Sequence, residues 1–346
     1  MKKRFFRVLL VVLCITVFAV GCGKKNQVEL NVYNWGDYID ESVLQDFEKK
    51  YNIKVNYDTF TTNEDMYVKV KAGGSHYDIL IPSDYMIKRM IDEDMLEKLD
   101  LSNIPNYKYI DSRFKNLEYD PNNEYSVPYM WGTVGILYNK KMVSEKPTSW
   151  KVLWDKKYAK QILMMDSQRD SIGITLKMLG YSLNSKNPDE LEQAKQALIE
   201  QKSLVLAYVV DEVKDKMIAG EAALAVVWSG DAVYCIRENP DLDYVVPEEG
   251  SNYWFDAIVI PKGTQHKKEA ELFINFLCET DIAYRNADYI GYASPHTEAV
   301  KKLPKEITSK RYAYPLEEDL TNSEIFVDLG SVLKEFDRIW TEVKSH

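Results

Sequence analysis

The sequence predicts an α/β protein of two lobes, each a mainly parallel sheet flanked by helices, joined by crossover strands. Three observations carry that expectation. Strand-like and helix-like segments alternate in both halves of the chain, the rhythm of strand–helix–strand units in parallel sheets. Two extended stretches, Ser126–Asn139 and Phe255–Ile260, lack helical periodicity and stand where the chain would cross between lobes. A length of 346 residues is more than one small core encloses.

Ahead of the first element lies an export signal. A basic start (Lys2, Lys3, Arg4) leads into an apolar run from Phe5 to Val20, which ends in small residues immediately before a cysteine, Ala19-Val20-Gly21-Cys22. The stretch falls short of the ~20 residues that span a bilayer comfortably, so a membrane anchor is the poorer reading. A cysteine at the cleavage point suggests a bacterial lipoprotein: signal peptide 1–21, Cys22 acylated, and a small polar tether over 22–27. The protein is then expected outside the cytoplasm, lipid-anchored to the cell membrane at the cell surface or in the periplasm.

The mature chain opens with a strand at Val28–Tyr33. Asp40 can cap a helix over Glu41–Tyr51, where Val43, Leu44, Phe47 and Tyr51 share one face. Lys54–Tyr57 reads as the next strand. Asn63 caps a helix to Lys71, stopped by Gly73-Gly74. Tyr77–Pro82 is a continuous apolar strand of the kind that is covered on both faces. Ser83 or Asp84 caps a helix over Tyr85–Asp92. A long polar connection over Leu99–Tyr125 precedes the crossing at Ser126–Asn139.

The second lobe repeats the pattern. Strands are expected at Gln161–Met165, Leu204–Tyr208, Ala223–Trp228 and Asp243–Val246. Helices are expected at Ser171–Leu179, Pro188–Gln201, Asp211–Ala219 and Gly230–Glu238. The return crossing at Phe255–Ile260 leads to helices over Lys267–Leu277 and Asp281–Tyr289, and an amphipathic helix over Ser323–Lys344 closes the chain. The lobes are thus drawn as 28–131 plus 257–303 and 132–256 plus 304–346. Ligands of parallel sheets lie beyond the carboxyl ends of the strands, which points to the loops Asn34–Tyr38, Thr59–Thr62 and Pro82–Tyr85.

Composition narrows the function. With 44 basic and 54 acidic residues the chain carries a net charge of −10, and removal of the basic signal makes it more acidic. Nucleic-acid binding is therefore disfavoured, while encounter with cations is favoured. After export and lipidation only Cys235 and Cys278 remain, as a pair or as two buried thiols. His76, His266, His296 and His346 show no metal-ligand spacing, and no metal or cofactor is expected. There is no G-x-S-x-G elbow, since Trp228-Ser229-Gly230-Asp231 lacks the frame, and no phosphate-binding loop; catalysis is not expected.

Aromatic content stands out, with 24 Tyr, 7 Trp and 11 Phe. Ring faces attract an organic ammonium by about 0.5–2 kcal/mol each, and a buried ammonium also needs a carboxylate partner. Such parts recur at predicted strand ends: Trp35 with Tyr38, Ser83 with Tyr85, Trp228 with Asp231, Trp254 with Asp256, and Tyr292 in a Gly291–Pro295 loop. Any one tryptophan is better explained by core packing; five loops of like chemistry at one edge are harder to attribute to it.

Several short segments resemble, in order, the spermidine/putrescine-binding proteins that feed polyamine ABC transporters. They are Tyr33-Asn34-Trp35-Gly36-Asp37-Tyr38, Tyr77-Asp78-Ile79-Leu80-Ile81-Pro82-Ser83, Asp120-Pro121-Asn122-Asn123, Val127-Pro128-Tyr129-Met130-Trp131-Gly132, Trp254-Phe255-Asp256 and Gly291-Tyr292. The resemblance runs from about Val28 to the C-terminus. It implies the two-lobed, type II periplasmic-binding-protein fold, with putrescine or spermidine captured between lobes and delivered to a transporter permease by a monomeric carrier. It further implies that Trp35, Gly36, Asp37, Tyr38, Ser83, Tyr85, Trp228, Trp254, Asp256 and Tyr292 line the cleft, with Asp256 on one ammonium and Trp254 and Trp35 against the methylenes.

Three departures stand in the second lobe. Ser167 and Asp170 occupy the place of an acidic pair, Phe326 replaces a glutamine, and Asp231 replaces a neutral residue, as in putrescine-preferring relatives. Asp231 and Asp256 are then the expected pair for the two ends of a diamine, with putrescine bound at least as well as spermidine. The competing readings are a ferric-ion or choline binder on the same fold, an exported glycan hydrolase, and a surface adhesin without a small ligand.

Overall fold

Residues 27–73 and 76–346 are described by the computed structural model. The export signal, Cys22 and the tether up to residue 26 lie outside the described residues. The first lobe begins β1 (Glu29–Trp35), α1 (Glu41–Tyr51), β2 (Lys54–Phe60), α2 (Asn63–Lys71), β3 (Ile79–Leu80) and α3 (Asp84–Asp92), with β1 parallel to both β2 and β3. Asp40 caps α1 through the Ser42 amide, and Val43, Leu44 and Phe47 are its buried face. The cap of α2 is Thr62 rather than Asn63. Asn63 instead donates to the Ser83 and Tyr85 hydroxyls. The strand expected at Tyr77–Pro82 shrinks to two ladder residues, because only that part of it lies between β1 and its other neighbour.

After several 3-10 turns comes β4 (Ser126–Asn139), buried along its whole length. Next are β5 (Ile162–Met165), α4 (Gln168–Met178), α5 (Pro188–Lys202), β6 (Val205–Val209), α6 (Val213–Ile218), β7 (Leu224–Trp228), α7 (Ser229–Glu238) and β8 (Leu242–Val245). The chain returns along β9 (Tyr253–Val259) and ends in α8 (Lys267–Leu277), α9 (Thr280–Ile290), α10 (Thr297–Lys302), α11 (Lys305–Thr308) and α12 (Leu333–Ser345).

The sheet order is β2-β1-β3-β9-β4-β7-β5-β6, with β8 also on β4. Two parallel triplets thus flank an antiparallel pair, the crossing strands β4 and β9. Ser126 to Thr133 pair with β9, whereas Val134 to Asn139 pair with β7 and β8. One strand therefore belongs to both lobes, and its partner changes between Thr133 and Val134. This is the two-lobed α/β architecture expected from the sequence.

The closing helix is a correction: it starts at Leu333, not Ser323. Glu324 forms an isolated bridge with Asn252, and Gly330 has a φ of 57°, so the intervening chain is not helical. Phe326 and Leu329 are buried from a loop and imitated a helical stripe. Phe336, Ile339 and Val343 pack α12 onto α4 and α5. Cys235 and Cys278 are both free and buried, not paired. Among the described residues no helix is long and apolar enough to cross a membrane.

Candidate functional site

The carboxyl ends of β1, β2 and β3 face those of β5, β6 and β7 across a cleft of about 910 Å³, its open mouth included. Each strand end delivers a loop or a helix start, so polar and aromatic side chains enter from six directions. From the first lobe come Trp35, Gly36, Asp37, Tyr38, Ser83 and Tyr85; from the second come Ser167, Asp170, Trp228 and Asp231. Trp254 and Asp256 project from β9, Tyr292 from the loop after α9, and Phe326 from the loop ahead of α12. Every residue expected at the site from sequence lines this one cleft.

Asp256 is 5 % exposed. Tyr38 donates its hydroxyl to Oδ2 at 2.8 Å, while among the described residues Oδ1 has no hydrogen-bond donor. A backbone bridge holds Ser83 against Asp256. Burial pushes the Asp256 carboxyl up to about 7, and the Ser83 and Tyr38 hydroxyls pull it partly back. A desolvated carboxylate with a free oxygen is costly alone and strongly favours a cationic donor.

The rings around it are set at angles rather than stacked flat. Trp254 and Tyr292 lie with centroids 5.3 Å apart at 70°, and Tyr38 and Tyr292 5.3 Å apart at 79°. Trp35 and Trp228, from opposite lobes, are 6.3 Å apart at 61°. The indole nitrogens of Trp35 and Trp254 are buried and, among the described residues, without acceptors.

At one end, Ser167 caps α4 and donates to Asp170 Oδ2 at 2.7 Å. Asp170 Oδ1 has no donor among the described residues, and burial lifts this carboxyl to about 6. Behind it lies Arg169, which sequence reasoning missed. Its guanidinium carbon stands 4.3 Å from the Phe326 ring centre and 4.8 Å from that of Tyr85, within reach of cation–π attraction. Its terminal nitrogens donate to the Val327 carbonyl and Asn184 Oδ1. Burial lowers its pKa while Tyr85, Glu64 and Asp170 sustain its charge. Phe326, expected as the loss of a hydrogen-bonding side chain, is in place the platform for this cation.

At the other end, Asp231 sits in the first turn of α7, where the helix N-terminus favours a carboxylate. Burial lifts it to about 6, and Lys214 draws it back down. The Lys214 ammonium, hydrogen-bonded to Asp37, lies 4.0 Å from Asp231 Oδ1, so this carboxylate, unlike Asp256, stands in the field of a cation of the protein's own. Asp231 and Asp256, the expected pair for the two ends of a diamine, both line the cleft, but among the described residues only Asp231 has a basic side chain beside it. Gly230 is required beside them: a Cβ there would lie 2.2 Å from the Tyr292 ring.

Glu64, Asn252 and Asp211 also line the cleft without having been singled out. The strand-end rule, applied to β2 and β6, would have found Glu64 and Asp211; nothing local marks Lys214. Among the described residues no group of three or more His, Cys, Asp or Glu is placed to hold a metal ion.

Comparison with known proteins agrees with this architecture. A family profile described as bacterial extracellular solute-binding protein matches residues 42–313. The spermidine/putrescine-binding periplasmic protein of Escherichia coli (strain K12) is 35 % identical over 318 residues, 91 % of each chain. A solved structure of a putative spermidine/putrescine ABC transporter protein from Listeria monocytogenes superposes with a TM-score of 0.89 at 45 % identity, covering 91 % of this chain and 98 % of that one. The TpPotD lipoprotein of Treponema pallidum superposes with a TM-score of 0.81 at 31 % identity, covering 92 % and 100 %.

Proposed function

The chain belongs to the bacterial extracellular solute-binding proteins, and on that premise we propose that it captures polyamines, putrescine or spermidine, between its lobes and delivers them to an ABC transporter. One observation carries the reading: Asp256, buried with an unpartnered oxygen, is ringed by Tyr38, Trp254 and Tyr292. A small anion would be repelled there, and a neutral sugar would leave the carboxylate desolvated and unpaired. An aliphatic ammonium satisfies both the oxygen and the ring faces. Asp256 takes one ammonium, Trp35, Trp228 and Trp254 cover the methylenes, and the second charged end lies toward Asp231. The names of the relatives, spermidine/putrescine-binding proteins, support the same substrate class.

Capture requires a hinge, and the crossing strands supply it, with the change of partner along the shared strand β4, between Thr133 and Val134, as its centre. The protein works outside the cytoplasm, held to the membrane by a lipid on Cys22; a structural relative described as a lipoprotein supports that anchor.

Titration calorimetry tests the binding. Putrescine and spermidine should bind the intact protein, and Asp256→Asn should weaken both at least about a hundredfold, the scale of an unpaired buried ammonium. Binding unaffected by that substitution would overturn the assignment.

A further inference from the structure

Lys214, on α6, sends its ammonium among three carboxylates. It lies 2.6 Å from Asp37 Oδ2, 3.9 Å from Asp211 Oδ1 and 4.0 Å from Asp231 Oδ1. Asp37 belongs to the loop after β1, Asp211 and Asp231 to the opposite lobe, and all three line the cleft. The lobes touch here: a Cβ on Gly36 would fall 2.8 Å from Asp211 Oδ2. The Lys214 side chain is 14 % exposed. Burial works against its charge, yet Asp231, Asp37 and Asp211 hold its pKa above the ordinary lysine range. The group is therefore a fixed positive charge at neutral pH, held by Asp37 and standing 4.0 Å from the carboxylate that would receive the far end of a diamine.

We propose that Lys214 is a specificity-determining residue, a resident ammonium that discounts the second positive charge of the ligand. The inference rests on the polyamine reading given above. Asp256 has no cation of its own among the described residues and demands a charged end. Asp231 lies 4.0 Å from the Lys214 ammonium, so a ligand ammonium arriving there meets a like charge behind the carboxylate that attracts it. Repulsion between unit charges several ångströms apart at a protein's effective dielectric is large enough to cancel much of the attraction. A hydroxyl end meets no such repulsion and can still donate to Asp231. The cleft thus reads one end of its ligand strictly and the other loosely.

The test compares putrescine with 4-amino-1-butanol, a chain of the same length with one uncharged end, by calorimetry on the intact protein. The affinity ratio of the two should rise about tenfold in Lys214→Gln, because Asp231 then lacks its internal partner. In Lys214→Arg, which keeps the charge, the ratio should stay within about twofold of the parent. Lys214→Met, which keeps the aliphatic stem, gives the same readout if the glutamine variant fails to fold by thermal unfolding. An unchanged ratio in Lys214→Gln overturns the inference. So does an equal loss for both ligands, which would make Lys214 a latch between lobes. If the parent protein binds neither of these ligands nor spermidine, it is the polyamine reading itself that fails; binding of spermidine without putrescine overturns the inference alone.

Discussion

Tyr38 and Asp256 are joined by a 2.8 Å hydrogen bond across 218 positions of sequence. It ties the first loop of one lobe to the strand on which the chain returns, and it orients the carboxylate that faces the cleft. Because the phenol donates, it favours the ionised form of Asp256.

Tyr38→Phe should therefore raise the Asp256 pKa further and weaken putrescine binding at pH 7 by about three- to tenfold, the scale of one ordinary hydrogen bond's net contribution. The deficit should narrow at pH 8.5, where Asp256 is ionised in both proteins. Calorimetry at the two pH values checks it; a deficit independent of pH would contradict the role.

Acid should release the ligand. Burial lifts Asp256 to about 7, and Asp170 and Asp231 to about 6. Ammonium ions bind the ionised forms, so affinity should fall as pH drops from 8 to 5.5, and binding near pH 7 should expel protons. Heats measured in two buffers of different ionisation enthalpy reveal that release. Without ligand the sign reverses for stability. A carboxyl raised in the folded state binds more protons than its unfolded counterpart between the two pKa values, so its contribution declines as pH rises through that window. Saturating putrescine should accordingly raise the melting temperature more at pH 8 than at pH 5.5.

Arg169→Met removes a cation that is 2 % exposed. Glu64 and Asp170 lose their nearby positive charge, and the Val327 carbonyl loses a donor. Stability should fall by about 2–4 kcal/mol, as for other broken buried charge arrangements. The urea midpoint measures it, and a loss under about 0.5 kcal/mol would show the guanidinium to be unimportant for the fold.

Cys22→Ser should leave the protein folded and able to bind ligand but no longer lipid-bearing. Detergent phase partitioning should move it from the detergent to the aqueous phase. Equal retention in the detergent phase would argue against acylation at this residue.

The fold was legible where pattern and requirement coincide. Ser126–Asn139 reads as one long extended stretch, and that is its observed length, because a strand serving two sheets is covered on both faces throughout. The site was legible because strand ends are where chains of this class place their ligand contacts, and Trp35, Ser83 and Trp228 fall there in sequence as in space. Arg169 and Lys214 were not legible. Each is a lone basic residue near a helix start, and its role depends on carboxylates and rings brought from the other lobe or from far along the chain. The start of α12 was misread for a related reason: Phe326 and Leu329 are buried from a loop, and burial from a loop leaves the same trace as burial from a helix.

The place of β9, between β3 and β4, also dictates an order of events during biosynthesis. A ribosome that has made the first 250 residues has supplied every strand of the second sheet but left a gap in the first. The amino-terminal lobe stays unfinished until β9 has emerged and, after it, α8, whose Phe273 and Phe276 pack on Phe47. For an exported polypeptide that delay is useful, since a chain unable to mature early is one that can still be threaded through a translocation pore.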